Sequence, residues 1–338
     1  MGGMESLAAP GPSSLKVLVT GGAGFIGSHL VEALLERGDR VLVLDNFSTS
    51  RPDALAPHPA LQVMQGTIAD AATVRSAVQA LQPDVFMHAA ASYKAPEDWA
   101  EDVRTNTLGT AHVVKACVES GVRRLVYLQT SLCYGRLPLE CPITLEHPVA
   151  PEGGSYAITK TAGEQFVRLG GVDFVSFRLA NVYGPRNLSG PLPAFYRRLT
   201  RGEPCVVSDT RRDMVYVDDL VAVILQAVDG RGTGIYHVSS GRDVAIIDLY
   251  EATCRALHLC PPAVSVRPPD ADDVPSLLLD PSRTHADFDW QATTPLEVGV
   301  ERTVAWYRAH GVRRAYTHLK AADLRIDDLE GPSHAPGS

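Results

Sequence analysis

Short apolar runs alternate with stretches of helical periodicity through the first half of the chain. KVLVT (16–20), RVLVLD (40–45), DVFMHAA (84–90) and RRLVYLQT (123–130) are nearly unbroken runs of β-branched and large apolar residues, the pattern of strands buried on both faces. Between them, apolar positions recur at helical spacing from Ile26 to Arg37, near Ala71–Ala80 and near Thr105–Ser120. Strands of this kind separated by amphipathic helices predict parallel βαβ units, and so a doubly wound α/β sheet. After DFVSFRLANVYG (173–184) the alternation loosens into Pro-rich segments, then DMVYVDDLVAVILQAV and GIYHVSS. A smaller mixed α/β lobe, laid over the C-terminal edge of the sheet, is the expectation for the later part. The Rossmann-type domain is placed at 15–184 and the second lobe mainly at 185–320. Residues 1–14 and 321–338 are rich in Gly, Pro and Ser without periodicity and read as a disordered leader and tail.

Composition narrows the function. The chain has 338 residues, enough for one large domain or two closely joined ones. It is 45% hydrophobic and 21% charged, and no apolar run approaches the roughly eighteen residues of a membrane span. A soluble globular protein with no membrane partner is expected. The net charge of −8 argues against a nucleic-acid partner, which needs a basic face to displace counterions. None of the six cysteines forms a CxxC pair, and the N-terminus carries no charged-then-apolar signal, so a reducing cytoplasm is the expected compartment. Cys254, His258 and Cys260 fall close together, as packing residues or as part of a metal site. With no fourth ligand at a familiar spacing, no metal is expected.

Chemistry enters at VLVTGGAGFIGSHL, where Gly21, Gly24 and Gly27 follow the first strand and open the first helix. Glycines there permit a tight turn and let a pyrophosphate approach the helix N-terminus. Asp45 ends the second strand, where its carboxylate either accepts from adenosine ribose hydroxyls or caps the next turn. In the first role it repels a 2′-phosphate, which favours NAD over NADP.

SYAITKTAGE places Tyr156 and Lys160 one helical turn apart on one face. The chain has five lysines against twenty-six arginines, so a lysine at 160 stands out. A phenol serves as a base near neutral pH when a nearby cation stabilises its phenolate. The stretch LQTSLCYG (128–135) breaks an apolar run with Gln129 and Thr130. Thr130 is either a strand-end hydroxyl or the group that orients a substrate hydroxyl.

Together with HAA (88–90), TNTLGT (105–110), RLANVYGPRN (178–187) and RRDMVYVDDL (211–220), these motifs resemble the extended short-chain dehydrogenase/reductases from about residue 15 to about residue 310. Within them the chain is most similar to the NAD-dependent nucleotide-sugar epimerase/dehydratase branch, and there to epimerases of the UDP-glucose type. The resemblance implies a hydride shuttle at C4 of a UDP-hexose, with Thr130, Tyr156 and Lys160 catalytic. It assigns NAD contacts to Gly21, Gly24, Phe25, Ile26, Gly27, Asp45, Asn46, Ser48, Thr67, Ile68, Ala89, Ala90, Lys94 and Asn106, besides Tyr156 and Lys160. It assigns the substrate to Thr130, Ser131, Asn181, Arg212 and Arg267. Arg186 is read either as reaching the sugar C6, favouring a uronate, or as a surface loop arginine.

Branches that eliminate water or decarboxylate carry acids directly after the threonine, where this chain has Ser131 and Leu132. That leaves reversible oxidation at C4, in a 4-epimerase or in a 4-reductase or dehydrogenase that releases its cofactor. A non-catalytic NAD-binding regulator is the remaining reading. Family members often dimerise through two helices per subunit, here near 105–120 and 156–169. Gly66 and Thr67 replace a common Gly-Asp pair at the third strand end, and Asp70 is a candidate to replace that adenine contact.

Overall fold

In chain order the first part comprises β1 (Lys16–Thr20), α1 (Phe25–Glu36), β2 (Arg40–Asp45), β3 (Leu61–Gln65), α2 (Ala71–Leu81) and β4 (Val85–His88). Then come α3 (Trp99–Asp102), a π-helical segment (Val103–Gly109), α4 (Thr110–Glu119), β5 (Arg124–Thr130), a 3₁₀ turn (Ser131–Tyr134), α5 (Ser155–Leu169) and β6 (Phe174–Leu179). The remainder is β7 (Asn181–Tyr183), α6 (Pro191–Thr200), β8 (Val206–Ser208), β9 (Arg211–Tyr216), α7 (Val217–Val228), β10 (Gly234–Val238), β11 (Asp243–Ala245), α8 (Ile246–Ala256), β12 (Ser265–Arg267), β13 (Ser276–Leu277), α9 (Ser282–Phe288) and α10 (Leu296–His310). This computed structural model describes residues 14–50, 54–93, 95, 97–269 and 274–312. The expected leader, apart from Ser14, the expected tail and Lys94 lie outside the described residues.

Seven parallel strands form the main sheet in the order β3-β2-β1-β4-β5-β6-β10, the doubly wound arrangement that the alternation predicts. Both faces of the central strands are covered, which is why β1, β2, β4 and β5 are mostly apolar, whereas edge strand β3 is largely exposed. Val17, Val19, Val43, Met87, Val126 and Leu128 point into one buried cluster. Leu18, Leu42, Phe86, Leu125 and Tyr127 point into the opposite one. Strand order reverses between β1 and β4, and the crevice at their carboxyl ends is where such sheets bind ligands.

Two departures from the expected layout have local causes. The run 173–184 is two strands, because Ala180 turns the chain out of the main sheet. β7 then pairs in parallel with β9 in a small four-stranded sheet with β11 and β13. Beyond residue 184 the chain also returns to the large sheet, where β10 pairs with β6 and α7 packs against α1. The expected boundary at 184 is thus not the point where the chain leaves the main sheet. The second lobe is assembled from separated segments, including a parallel β8–β12 pair. Among the described residues no helix is long and apolar enough to cross a membrane. Among them no three His, Cys, Asp or Glu side chains gather as a metal site, and Cys254 is buried in α8 while Cys260 is exposed.

Candidate active site

The glycine loop closes onto the β1/β4 switch point. Gly21 sits at φ +69°, and a Cβ there would lie 2.7 Å from the Ala90 nitrogen. At Gly27 a Cβ would stand 2.1 Å from the Gly21 carbonyl oxygen, so α1 can begin this close to the strand only without a side chain. Gly24 caps α1 without any side-chain hydrogen bond, which leaves the first-turn N–H groups to an anionic group. This cradle fits the pyrophosphate of a dinucleotide. Gly27→Ala is expected to push the loop outward, lowering NAD content of the purified protein by about tenfold or more; cofactor absorbance after denaturation checks this.

Asp45, at the end of β2, is buried and caps the turn that follows. Oδ2 accepts from the Ala23 N–H (3.0 Å), tying it to the glycine loop, and Oδ1 accepts from Phe47 N–H (2.8 Å) and the Ser50 hydroxyl (3.0 Å). Asn46 and Ser48 follow in this exposed turn, where Asn46 Oδ1 accepts from Ser48 N–H at 3.0 Å. Thr67, at the end of β3, bonds its own turn through Ala69 N–H (3.1 Å), and Ile68 is buried under Gly109. Asp70 caps α2, accepting from Ala72 N–H, Thr73 N–H and the Thr73 hydroxyl, so its carboxylate is committed to the helix. Ala89 and Ala90 close the crevice from β4, their N–H groups bonding Thr20. Phe25 and Ile26 are half-buried at the start of α1.

Asn106 is placed differently from expectation. Its amide is wholly buried; Oδ1 accepts from Ser92 N–H (2.8 Å), while Nδ2 donates to Ser92 O (2.9 Å) and Thr159 Oγ1 (3.1 Å). It clamps the 91–93 loop to α5. Ser92 also donates to Asp102 Oδ1 (2.7 Å), completing a buried polar cluster that holds the π-helical turn.

Tyr156 lies in the first turn of α5 and Lys160 one turn on, against β5. Burial raises the Tyr156 phenol above its ordinary range, and Tyr93 and Asp102 add to that. Burial also brings the Lys160 ammonium down from 10.5 to about 7, opposed by Glu164. Its Nζ rests 4.0 Å from the centre of the Tyr127 ring. Thr130 is half-exposed at the end of β5; its Oγ1 accepts from Leu132 N–H (3.2 Å), leaving the hydroxyl hydrogen to be donated. Ser131 is buried in the turn that follows.

Four expected substrate contacts come from after β6. Asn181 opens β7, Arg212 lies on β9 and donates to Val274 O (2.6 Å), and Arg267 is exposed on β12. Arg186 is turned elsewhere: at φ +69°, it makes a two-pronged pair with Glu32 of α1 (2.8 and 2.5 Å) and reaches Ser28 Oγ (3.2 Å). In this arrangement it anchors the 184–187 loop to α1.

Sequence reading passed over a buried chain beneath the site. Ser176 and Arg178 bond Glu164; Arg178 donates to Tyr134 Oη (2.6 Å), which donates to His237 Nε2 (2.6 Å), and His237 Nδ1–H bonds Asp280 O (3.0 Å). A polar residue at Arg178 or Glu164, inside otherwise apolar positions, was its only local signal. Burial holds the His237 imidazole at about 4, below its ordinary 6.5. Between those values the unfolded chain binds a proton that the folded chain refuses. Stability is therefore complete above about pH 6.5 and falls by on the order of 2 kcal/mol towards pH 4.5. Thermal unfolding across this window checks it. His29 and His88 are also lowered by burial, so the diagnostic result is a shallower loss in His237→Gln than in the parent.

Residues 17–238 match the family model described as "NAD dependent epimerase/dehydratase family". UDP-glucose 4-epimerase of Mycolicibacterium smegmatis is 31% identical over 315 residues, 87% of this chain and 99% of that enzyme. The crystal structure of the Bordetella bronchiseptica enzyme WbmH in complex with NAD+ superposes with a TM-score of 0.86 at 50% identity, covering 88% of this chain and all of that one. The structure of WbmG from the same organism, in complex with NAD and UDP, gives 0.85 at 42% identity over 91% and 99% of the two chains.

Proposed function

This chain belongs to the NAD-dependent epimerase/dehydratase family, and from that premise we propose that it inverts C4 of a UDP-activated hexose through a 4-keto intermediate. The carrying observation is the sequence of groups at the end of β5. Thr130 presents a hydroxyl near the Tyr156–Lys160 helix, and the next two residues bring a hydroxymethyl and an isobutyl group. Neither can take a proton from C5 or deliver one to a C6 hydroxyl, so elimination and decarboxylation lack their acid and base.

NAD, when bound, would supply hydride transfer in both directions and the positive charge of its oxidised ring. Tyr156 takes the C4 hydroxyl proton and returns it on the second half of the cycle; Thr130 holds that hydroxyl in line. Asn181, Arg212 and Arg267 anchor the diphosphate, which leaves the hexose free to turn over and present its other face. Because Arg186 is already paired with Glu32, a hexose without a C6 carboxylate is favoured over a uronate. Incubation with UDP-glucose, UDP-glucuronate and their N-acetylated counterparts, in parallel without cofactor and with added NADH, tests this reading. A gluco/galacto mixture at equilibrium supports it; consumption of added NADH with a reduced product contradicts it.

Two copies pair about a twofold axis through α4 and α5. Val118 on α4 and Ile158, Phe166 and Leu169 on α5 are exposed apolar residues, with Leu169 79% exposed, on helices that pack together. Light scattering is expected to give twice the chain mass, and Leu169→Glu with Ile158→Glu to shift it towards monomer; a monomeric parent at micromolar concentration refutes the pairing. All six cysteines are free, which suits a reducing cytoplasm.

A further inference from the structure

Gln129 is a buried polar residue in a strand that is otherwise packed on both faces. Alternation along β5 puts it on the same side as Tyr127, facing α5. Its Nε2 donates to the Lys160 carbonyl at 3.1 Å, and its Oε1 accepts from the Thr130 N–H at 2.8 Å. The Tyr127 hydroxyl donates to the same Lys160 carbonyl at 3.0 Å, while the Lys160 ammonium lies over the Tyr127 ring. The lysine is thus held at its backbone by two strand residues and at its side chain by one of them. The partners fix the amide orientation, since only a donor suits the carbonyl and only an acceptor suits the N–H.

We infer that Gln129 is a positioning residue that sets the distance between Thr130 and Lys160 by bonding the main chain of both. It touches neither substrate nor reacting atoms. One amide spans the end of β5 and the catalytic turn of α5, so the hydroxyl that orients the sugar and the helix that carries Tyr156 move as one unit. A carboxylate there would set oxygen against the Lys160 carbonyl, and a shorter amide would reach one partner and leave the other unsatisfied. This assignment of a kinetic role rests on the proposed C4 chemistry, whereas the anchoring of Lys160 does not.

Gln129→Met keeps the volume and removes both bonds; Gln129→Asn keeps the amide but is one methylene too short to span. Two readouts separate the inference from the reading on which it rests. In protein carrying ¹³Cε-lysine, the Lys160 signal, identified by its loss in Lys160→Arg, is expected to be displaced upfield by the Tyr127 ring. In either variant it moves towards the ordinary lysine position while NAD content is retained. With the converted UDP-hexose, kcat is expected to fall about 10- to 100-fold with KM within about threefold, the signature of misplaced groups and intact binding. An unchanged Lys160 signal in both variants overturns the anchoring whatever the substrate proves to be. A displaced signal with parental kcat overturns the positioning role. If the parent turns over no UDP-hexose, the C4 reading fails and the lysine signal alone decides the anchoring.

Discussion

Tyr156→Phe is expected to lower turnover by about 100- to 10,000-fold, the range of a lost general acid/base. It is also expected to leave bound NAD and the unfolding midpoint unchanged. Only one hydroxyl leaves a site whose shape is set elsewhere, by the glycine loop, by Asn106 clamping the 91–93 loop to α5 and by Tyr127 and Gln129 holding Lys160. The buried phenol sits near Tyr93 and Asp102, both of which oppose its ionisation. It therefore stays protonated until positive charge arrives beside it, and its proton transfer is tied to the loaded state of the site. Turnover near that of the parent would mean that Tyr156 and Lys160 are an ordinary helix face.

Lys160→Met is expected to act in opposite directions on function and stability. Turnover falls by about 1,000-fold or more, and NAD content falls with it, as the proposed mechanism requires, because in it Lys160 supports the phenolate of the loaded site and makes a polar contact to the cofactor. Yet the cofactor-free protein should melt higher. The folded chain holds this amine at about 7 while the unfolded chain holds it at 10.5. Near pH 7 the unfolded state therefore binds more protons, and the folded state is penalised by on the order of 4 kcal/mol. That penalty shrinks as pH rises through 7 to 10.5. Methionine fills a similar volume without it. Unfolding midpoints of stripped protein at about pH 7 and pH 10 check the sign: the gain is expected at the lower pH and should nearly vanish at the higher. A loss of stability at pH 7 would show that the ammonium is better solvated than its burial implies.

How much of this was legible in the sequence differs from element to element. β1, β2, β4 and β5 read as strands because both faces of each are buried, so their central residues are apolar on both sides. The cofactor loop was legible for a similar reason, since its glycines answer a steric demand a few residues away. What depended on distant partners was not. Arg186 reads equally well as a ligand contact or a loop residue until Glu32, 154 residues earlier, closes on both of its terminal nitrogens. Asn106 carries the motif position expected for a cofactor contact, but three bonds to Ser92 and Thr159 consume its amide. Gln129 was visible as a polar break in an apolar run, and only the packing of α5 on β5 shows what it holds. The return of the chain to the large sheet as β10 was hidden because a short edge strand in the second half carries no mark of which sheet it will join.

Retention of the C4 hydrogen is the most direct test of the hydride shuttle. UDP-glucose and UDP-N-acetylglucosamine deuterated at C4 would be incubated with the purified protein in ordinary water, with no cofactor added. The products would be read by proton NMR and mass spectrometry. The account predicts the galacto epimer with deuterium kept at C4 and no net change in NADH. Deuterium lost to water, or a 4-keto or reduced product formed in proportion to cofactor consumed, would contradict it.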